Sequence, residues 1–243
     1  MRISVITLFP DMFTGFMETS IIKKAILKGL IDFEVVDMRS FTEDKHNRVD
    51  DYPYGGGAGL VLMCQPIVDA IKAVRTDNSI VAMMTPQGKT FNQATAYELS
   101  EVEHLILLCG HYEGFDERIR SYVDIELSLG DFVLTGGETA AMVMSDAIIR
   151  LVDGVITKES HEDDSFSDGL LEYPHYTRPH EYNGMRVPEV LTSGHHENIR
   201  KWRLKESIRR TLIKRPDLLK GRTFTKEELK FLNEIREEIT NND

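Results

Sequence analysis

Main-chain amides presented by glycine, and a few carboxylates near them, are the groups in this sequence whose types and spacing could do chemistry. The segment Leu127-Ser-Leu-Gly-Asp-Phe-Val-Leu-Thr-Gly-Gly-Glu-Thr-Ala-Ala-Met142 runs from an apolar strand through Gly130 and the pair Gly136-Gly137 into an apolar helix. Glycine lets N–H and C=O groups approach a flat polar ligand more closely than a Cβ would permit. Thr135 and Glu138 have capping-box spacing, which predicts a helix N-terminus with free N–H groups behind the glycines. Met83-Met-Thr-Pro-Gln-Gly88 and Leu107-Leu-Cys-Gly-His-Tyr-Glu-Gly114 each follow a short run of Ile, Val, Leu and Met. One such loop alone reads as a tight turn. Three at strand ends read as one crevice, because open α/β sheets bind ligands outside the carboxyl ends of their strands. No G-x-G-x-x-G follows a strand, which argues against a nicotinamide or flavin dinucleotide fold and against a Rossmann-type methyltransferase.

The remaining reactive side chains are few. Cys64 and Cys109 lie among apolar neighbours, a usage that suits a reducing compartment and offers neither a disulfide framework nor zinc spacing. His46, His111, His161, His195 and His196 show no metal-ligand spacing. By composition alone Asp164 is one solvated acid in the run Glu162-Asp-Asp164, Arg150 is a cation favoured by a helix C-terminus, and Glu113 is a loop acid.

The elements that must position these groups alternate. Strands are predicted over residues 2–9, 33–38, 80–84, 104–109 and 124–129, and helices over 13–30, 65–75, 92–99 and 138–152, with a short helix at 115–122. This order predicts an α/β fold with a mostly parallel sheet. The helix at 138–152 carries almost no charge before Arg150, so it belongs in the core or at a subunit interface. Residues 41–62 form a long loop, of a length that is usually functional. The polar stretch 156–169 reads as a flexible linker between a body at 1–155 and a second region at 170–243. That region opens with a proline-rich segment, continues in a basic helix at 198–214 with Ile199, Trp202, Ile208 and Leu212 as its apolar members, and ends in a helix opened by a Thr225–Glu228 capping box. No apolar run approaches the roughly 18 residues that span a bilayer, so a soluble protein is expected.

Net charge is −11, which alone argues against a nucleic-acid partner. Between His195 and Arg222, however, ten Lys or Arg face three acids, a local +7 on a remainder of −18. An acidic body with one basic helix is consistent with local phosphate contact. Arg200, Lys201, Arg203 and Lys205 are the candidate phosphate contacts, against a solvated charged face as the alternative.

The strings Asp50-Asp-Tyr-Pro-Tyr-Gly-Gly-Gly-Ala-Gly59, Cys109-Gly-His-Tyr-Glu-Gly-Phe-Asp-Glu-Arg118, Leu129-Gly-Asp-Phe-Val-Leu-Thr-Gly-Gly-Glu138, Asp164-Ser-Phe166 and the segment 170–179 occur in one order along the chain. Together they resemble the bacterial tRNA (guanine-N1)-methyltransferase family. The resemblance implies a deep trefoil knot of the SPOUT type in the α/β body, a homodimer, a small helical C-terminal domain that holds the tRNA anticodon stem-loop, and a cytoplasmic enzyme. It implies S-adenosyl-L-methionine as methyl donor and N1 of guanosine-37, 3′ to the anticodon, as acceptor, a modification that maintains the reading frame. Cofactor contacts would fall on Thr85, Pro86, Gly110, Tyr112, Glu113, Gly114, Leu129, Gly130, Asp131, Phe132, Val133, Leu134, Gly136 and Gly137. Asp164 would take the N1 proton, Arg150 would bond O6, and Arg178 would join the tRNA contacts. Mg2+ is a candidate cofactor, for which Asp164 and Glu113 are suitable hard ligands. Two rivals stay open at this point: a catalytically silent tRNA-binding dimer, and a ribose 2′-O-methyltransferase of the same knotted superfamily.

Overall fold

The computed structural model describes residues 1–157 and 164–241. The chain divides into two compact units, Met1–Thr157 and Lys158–Asp243.

The first unit is built on a five-stranded, wholly parallel sheet in the order β2-β1-β6-β5-β7. Its strands are β1 (Arg2–Thr7), β2 (Asp32–Asp37), β5 (Ser79–Thr90), β6 (His104–Leu108) and β7 (Ile125–Ser128). Central β6 is buried along its whole length, as a parallel strand covered on both faces must be. Alternate residues serve opposite layers. Ile3, Val5, Leu105 and Leu107 face one core with Phe13, Ala141, Met144 and Ile148, whereas Ile6, Ile106 and Leu108 face the other with Ile67, Ile71 and Met83. The covering helices are α1 (Thr14–Met17), α2 (Ser20–Leu27), α3 (Cys64–Val74), α4 (Gln93–Ser100) and α5 (Glu138–Ile149).

Several expectations need correction. The single helix foreseen at 13–30 is a 3-10 turn at Pro10–Phe13 followed by α1 and α2, broken where Ser20 takes a φ of +53°. The break rotates Ile21 out to solvent instead of into the core. The strand foreseen to stop at Met84 resumes after a bulge, pairing Met84 and then Lys89 with the same Leu127. Thr85, Pro86 and Gly88 therefore form an excursion within β5. The loop at 41–62 contains a small antiparallel ladder, β3 (Asp50–Asp51) with β4 (Val61–Leu62). The short helix at 115–122 is a 3-10 helix at Glu117–Tyr122.

The second unit packs α6 (His196–Lys214) against α7 (Lys226–Thr240), with a two-residue hairpin of β8 (Glu181–Tyr182) and β9 (Met185–Arg186) beside them. Ile208 of α6 meets Phe231, Leu232 and Ile235 of α7 and Leu170, with Leu204 and Leu212 at the margin. The spacing 204, 208, 212 is one helical stripe. Thr225 and Glu228 form the foreseen capping box, Thr225 Oγ1 accepting the Glu228 amide and the Glu228 carboxylate accepting the Thr225 amide. Of the foreseen linker, residues 158–163 lie outside the described residues, and 164–170 form a hydrogen-bonded turn. Among the described residues no helix is long and apolar enough to cross a membrane.

Candidate functional site

Strands β6, β5 and β7 are neighbours in the sheet and parallel, so their carboxyl ends open on one edge of the first unit. β6 carries the buried Cys109 to Gly110, whose carbonyl accepts the Gly137 amide at 2.8 Å. His111 and Gly136 form an antiparallel bridge next to it, which binds the 110–114 loop to the 129–137 loop. The closeness of this seam requires glycine. A Cβ on Gly137 would lie 2.8 Å from the Cys109 Cα, and one on Gly110 would lie 2.6 Å from the Phe115 ring. The β5 excursion is equally tight, since a Cβ on Gly88 would meet the Leu127 amide nitrogen at 2.4 Å. Gly88 and Gly137 are thus backed by main chain and Gly110 by an aromatic ring.

Beyond Gly130, the side chains of Asp131, Phe132, Val133, Leu134 and Thr135 are exposed, Val133 to 84%. Leu129 is half-buried at the end of β7. Tyr112 is exposed on a φ of +57°. The Glu113 amide donates to the Leu60 carbonyl at 3.0 Å, and the Gly114 carbonyl accepts the Leu62 amide at 2.9 Å. The Glu113 carboxylate lies over Gly59, where a Cβ would meet Oε1 at 2.4 Å. The long loop between β3 and β4 is therefore clasped to one of the candidate cofactor loops, a link the sequence did not disclose.

The capping box foreseen at Thr135–Glu138 does not form. Gly137 is the N-cap residue of α5, without a side-chain cap. The Glu138 carboxylate, 1% exposed, turns inward to accept the Thr7 hydroxyl at 2.8 Å, with its other oxygen 3.6 Å from His111 Nδ1. Thr7 Oγ1 in turn accepts the Phe9 amide at 2.9 Å, and the His111 ring stacks 4.8 Å from that of Phe9. One buried carboxylate thus joins the ends of β1 and β6 to the start of α5. Sequence reasoning missed Thr7 and Glu138 as a pair; the available signal was an acid opening an otherwise apolar helix. Cys109 is no nucleophile, because burial, reinforced by Glu138, raises its thiol well above the ordinary range. Arg150 is the half-buried C-cap residue of α5.

In the second unit Asp164 opens a turn in which its carbonyl accepts the Ser167 amide at 3.1 Å. With Tyr173, Ile199, Arg200, Arg203 and Leu204 it lines a groove of about 500 Å³. The candidate tRNA contacts are largely engaged within the unit. Arg200 bonds Glu197 and, at 2.9 Å, Glu227 of α7. Lys201 stands 3.4 Å from Glu197. Lys205 bonds Glu234 at 2.7 Å and Glu238 at 3.0 Å, and the Arg203 guanidinium lies 4.7 Å from the centre of the Tyr173 ring. Arg178 is exposed and precedes a cis Pro179. Among the described residues no cluster of three or more His, Cys, Asp or Glu could hold a metal ion.

Comparison with known proteins gives one consistent result. Residues 1–221 match the family model described as tRNA (Guanine-1)-methyltransferase TrmD. A tRNA (guanine-N(1)-)-methyltransferase of Halalkalibacterium halodurans is 55% identical over 243 residues, covering 98% of this chain and 99% of that protein. Proteins of the same description from Dictyoglomus turgidum and Bacillus cereus are 51% and 54% identical, covering 98% of this chain and 98% and 99% of their own lengths.

Proposed function

The chain belongs to the tRNA (guanine-N1)-methyltransferase family, and from that membership we propose that it methylates N1 of guanosine-37 in tRNA. It is an enzyme, with S-adenosylmethionine as its methyl donor. The residues of the first unit fit that donor. The β5 excursion and the loops after β6 and β7 converge at one edge of the sheet, with Gly137 packed at main-chain distance on Cys109, and this convergence carries the reading. Thr85 and Pro86 in the β5 excursion, Tyr112 to Gly114, and 129–134 would complete the wall. When bound, the cofactor supplies an electrophilic methyl carbon.

Guanine N1 carries a proton at neutral pH and has no free lone pair, so the acceptor must be deprotonated before it can attack. Asp164 is the base of this proposal, taking the N1 proton onto its carboxylate. Arg150 donates to O6 and stabilises the negative charge that develops there as the proton leaves. Arg150 belongs to the first unit and Asp164 to the second. Arg178, Lys201 and Arg203 would meet the anticodon stem-loop, with Arg200 and Lys205 exchanging carboxylate partners for phosphates.

The reading includes three family traits. A deep trefoil knot in the first unit follows from the family likeness. Exposed Phe132, Val133, Leu134 and Val143 support a homodimer that covers them, in which Asp164 serves the partner's cofactor site. Magnesium is proposed as a requirement of the reaction with ligands outside any preformed cluster, and a chelator would then stop turnover. A cytoplasmic location goes with a tRNA substrate.

The decisive experiment is mass spectrometry of tRNA nucleosides after incubation with isotopically labelled S-adenosylmethionine. Labelled N1-methylguanosine is expected. A 2′-O-methylated nucleoside or the absence of any labelled product would overturn the reading.

A further inference from the structure

The turn that carries Asp164 is held in place by an arginine outside the candidate site. Within the turn, the Glu172 amide donates to Ser165 Oγ at 3.0 Å and the Phe166 amide to the Leu170 carbonyl at 2.7 Å. Its far end is fixed to α6, where the Leu171 amide donates to Thr211 Oγ1 at 2.8 Å. Leu170 is buried in the α6–α7 core. The middle of the turn rests on Arg222. Its Nη1 donates to the Asp168 carbonyl, its Nη2 lies 3.9 Å from Asp168 Oδ2, and the same Nη2 donates to Glu228 Oε1 at 2.8 Å. Glu228 is itself committed, since Oε2 accepts the Thr225 amide at 2.7 Å in the capping box of α7. The main chain at Gly169 runs so near that a Cβ there would stand 3.1 Å from Arg222 Nη1. A planar fork is suited to this double task, gripping a carbonyl with one arm and a carboxylate with the other. Among the described residues the buried Arg222 Nε–H has no acceptor, so the side chain is held through its two Nη groups.

We propose that Arg222 is a positioning residue for methyl transfer, holding the Asp164 turn against the N-terminus of α7 so that the carboxylate is delivered to the guanine in one orientation. The inference rests on the reading of Asp164 as the base. Arg222 touches neither reactant and acts through the main chain at 168–169. Releasing it lets the turn sample other arrangements, and misplacement of a reacting group by about 1 Å can cost on the order of a hundredfold in rate.

The test is a double-mutant cycle read by single-turnover methyl transfer, with full-length protein, saturating S-adenosylmethionine and excess enzyme over tRNA. Arg222→Met is expected to slow the step roughly tenfold to a hundredfold, with the tRNA dissociation constant changed less than about twofold. In an Asp164→Asn background the same substitution is expected to have no further effect, because the group it positions can no longer take a proton. An Arg222→Met rate equal to wild type overturns the proposal, as does an equal loss in both backgrounds. Asp164→Asn at wild-type rate overturns the base assignment and the positioning role together, whereas a slow Asp164→Asn with an unaffected Arg222→Met overturns the positioning role alone. Should Arg222→Met fail to fold, Arg222→Lys keeps a charge for Glu228 while losing the fork, and the same non-additivity decides.

Discussion

Proton removal at guanine N1 asks one carboxylate to be ionised and within reach, and an amide of the same shape cannot replace it. Asp164→Asn is therefore expected to lower the single-turnover rate by on the order of 10²–10⁴, the usual contribution of general-base catalysis. Calorimetric affinity for S-adenosylmethionine should stay within about twofold, because the proposed cofactor cradle of glycine loops is in the other unit. Near wild-type turnover would remove Asp164 from the mechanism. At the cradle, Gly137→Ala should destabilise the protein by about 1–3 kcal/mol through overpacking and abolish cofactor binding, since the Cys109 backbone 2.8 Å away cannot retreat. Gly15→Ala is the control; nothing lies within 4 Å of its added methyl, and its melting temperature should match the wild type. The glycines were legible in the sequence because their chemistry is local. The Thr7–Glu138 bond was not, because its partners are 131 positions apart and only the folded sheet brings them together.

Two identical spacings at the level of the helix had opposite outcomes. Thr225–Glu228 caps α7, whereas Thr135–Glu138 leaves α5 uncapped by any side chain, because Thr7 offers Glu138 a buried hydroxyl in competition with the helix amides. A capping pattern states an option, and tertiary neighbours decide whether it is taken. The α7 cap also gives the second unit a pH dependence. Burial works to raise the Glu228 pKa, but the Thr225 amide and the Arg222 guanidinium outweigh it and hold the carboxyl below its ordinary 4.5. A carboxyl with a lower pKa folded than unfolded contributes full stability above the unfolded value and loses it as pH falls through the folded value. Urea titrations between pH 7 and pH 3 should show this loss on the acid side, and Glu228→Gln should flatten that limb. An unchanged acid limb would show that Glu228 is not its source. The break in the first helix was not legible: Ser20 is neither Gly nor Pro, yet it takes a φ of +53°.

The alternation of the five sheet strands with helices was readable in the first unit, since period-2 and period-3.6 patterns belong to each segment alone. The order β2-β1-β6-β5-β7 was not, because pairing is decided between segments far apart. Self-association belongs to this scale too. Sedimentation equilibrium should give about twice the chain mass of 27.8 kDa, and Val143→Asp, on the exposed stripe of α5, should yield monomers without methyl-transfer activity. A wild-type monomer that is fully active would exclude the shared-site dimer. The basic helix also behaves differently from its composition. Arg200, Lys205 and Arg209 bond Glu227, Glu234 and Glu238 of α7, so tRNA bound on α6 as proposed would displace protein carboxylates as well as its own counterions. Log affinity should then fall less steeply with log salt than ten free cations would require, each phosphate contact ordinarily contributing a slope of about −0.7 to −0.9. A slope near the full count would mean that those pairs are open in solution.

This internal neutralisation sets what the second unit can adhere to. In a cell crowded with ribosomal RNA, a segment with ten unanswered positive charges would be occupied by whichever strand arrived first. With glutamates already seated where phosphates would go, an arriving RNA gains little unless its contour lets several exchanges happen together. On the proposed reading of α6 as a tRNA contact, α7 would serve as a resident competitor, and discrimination between RNAs would begin with shape.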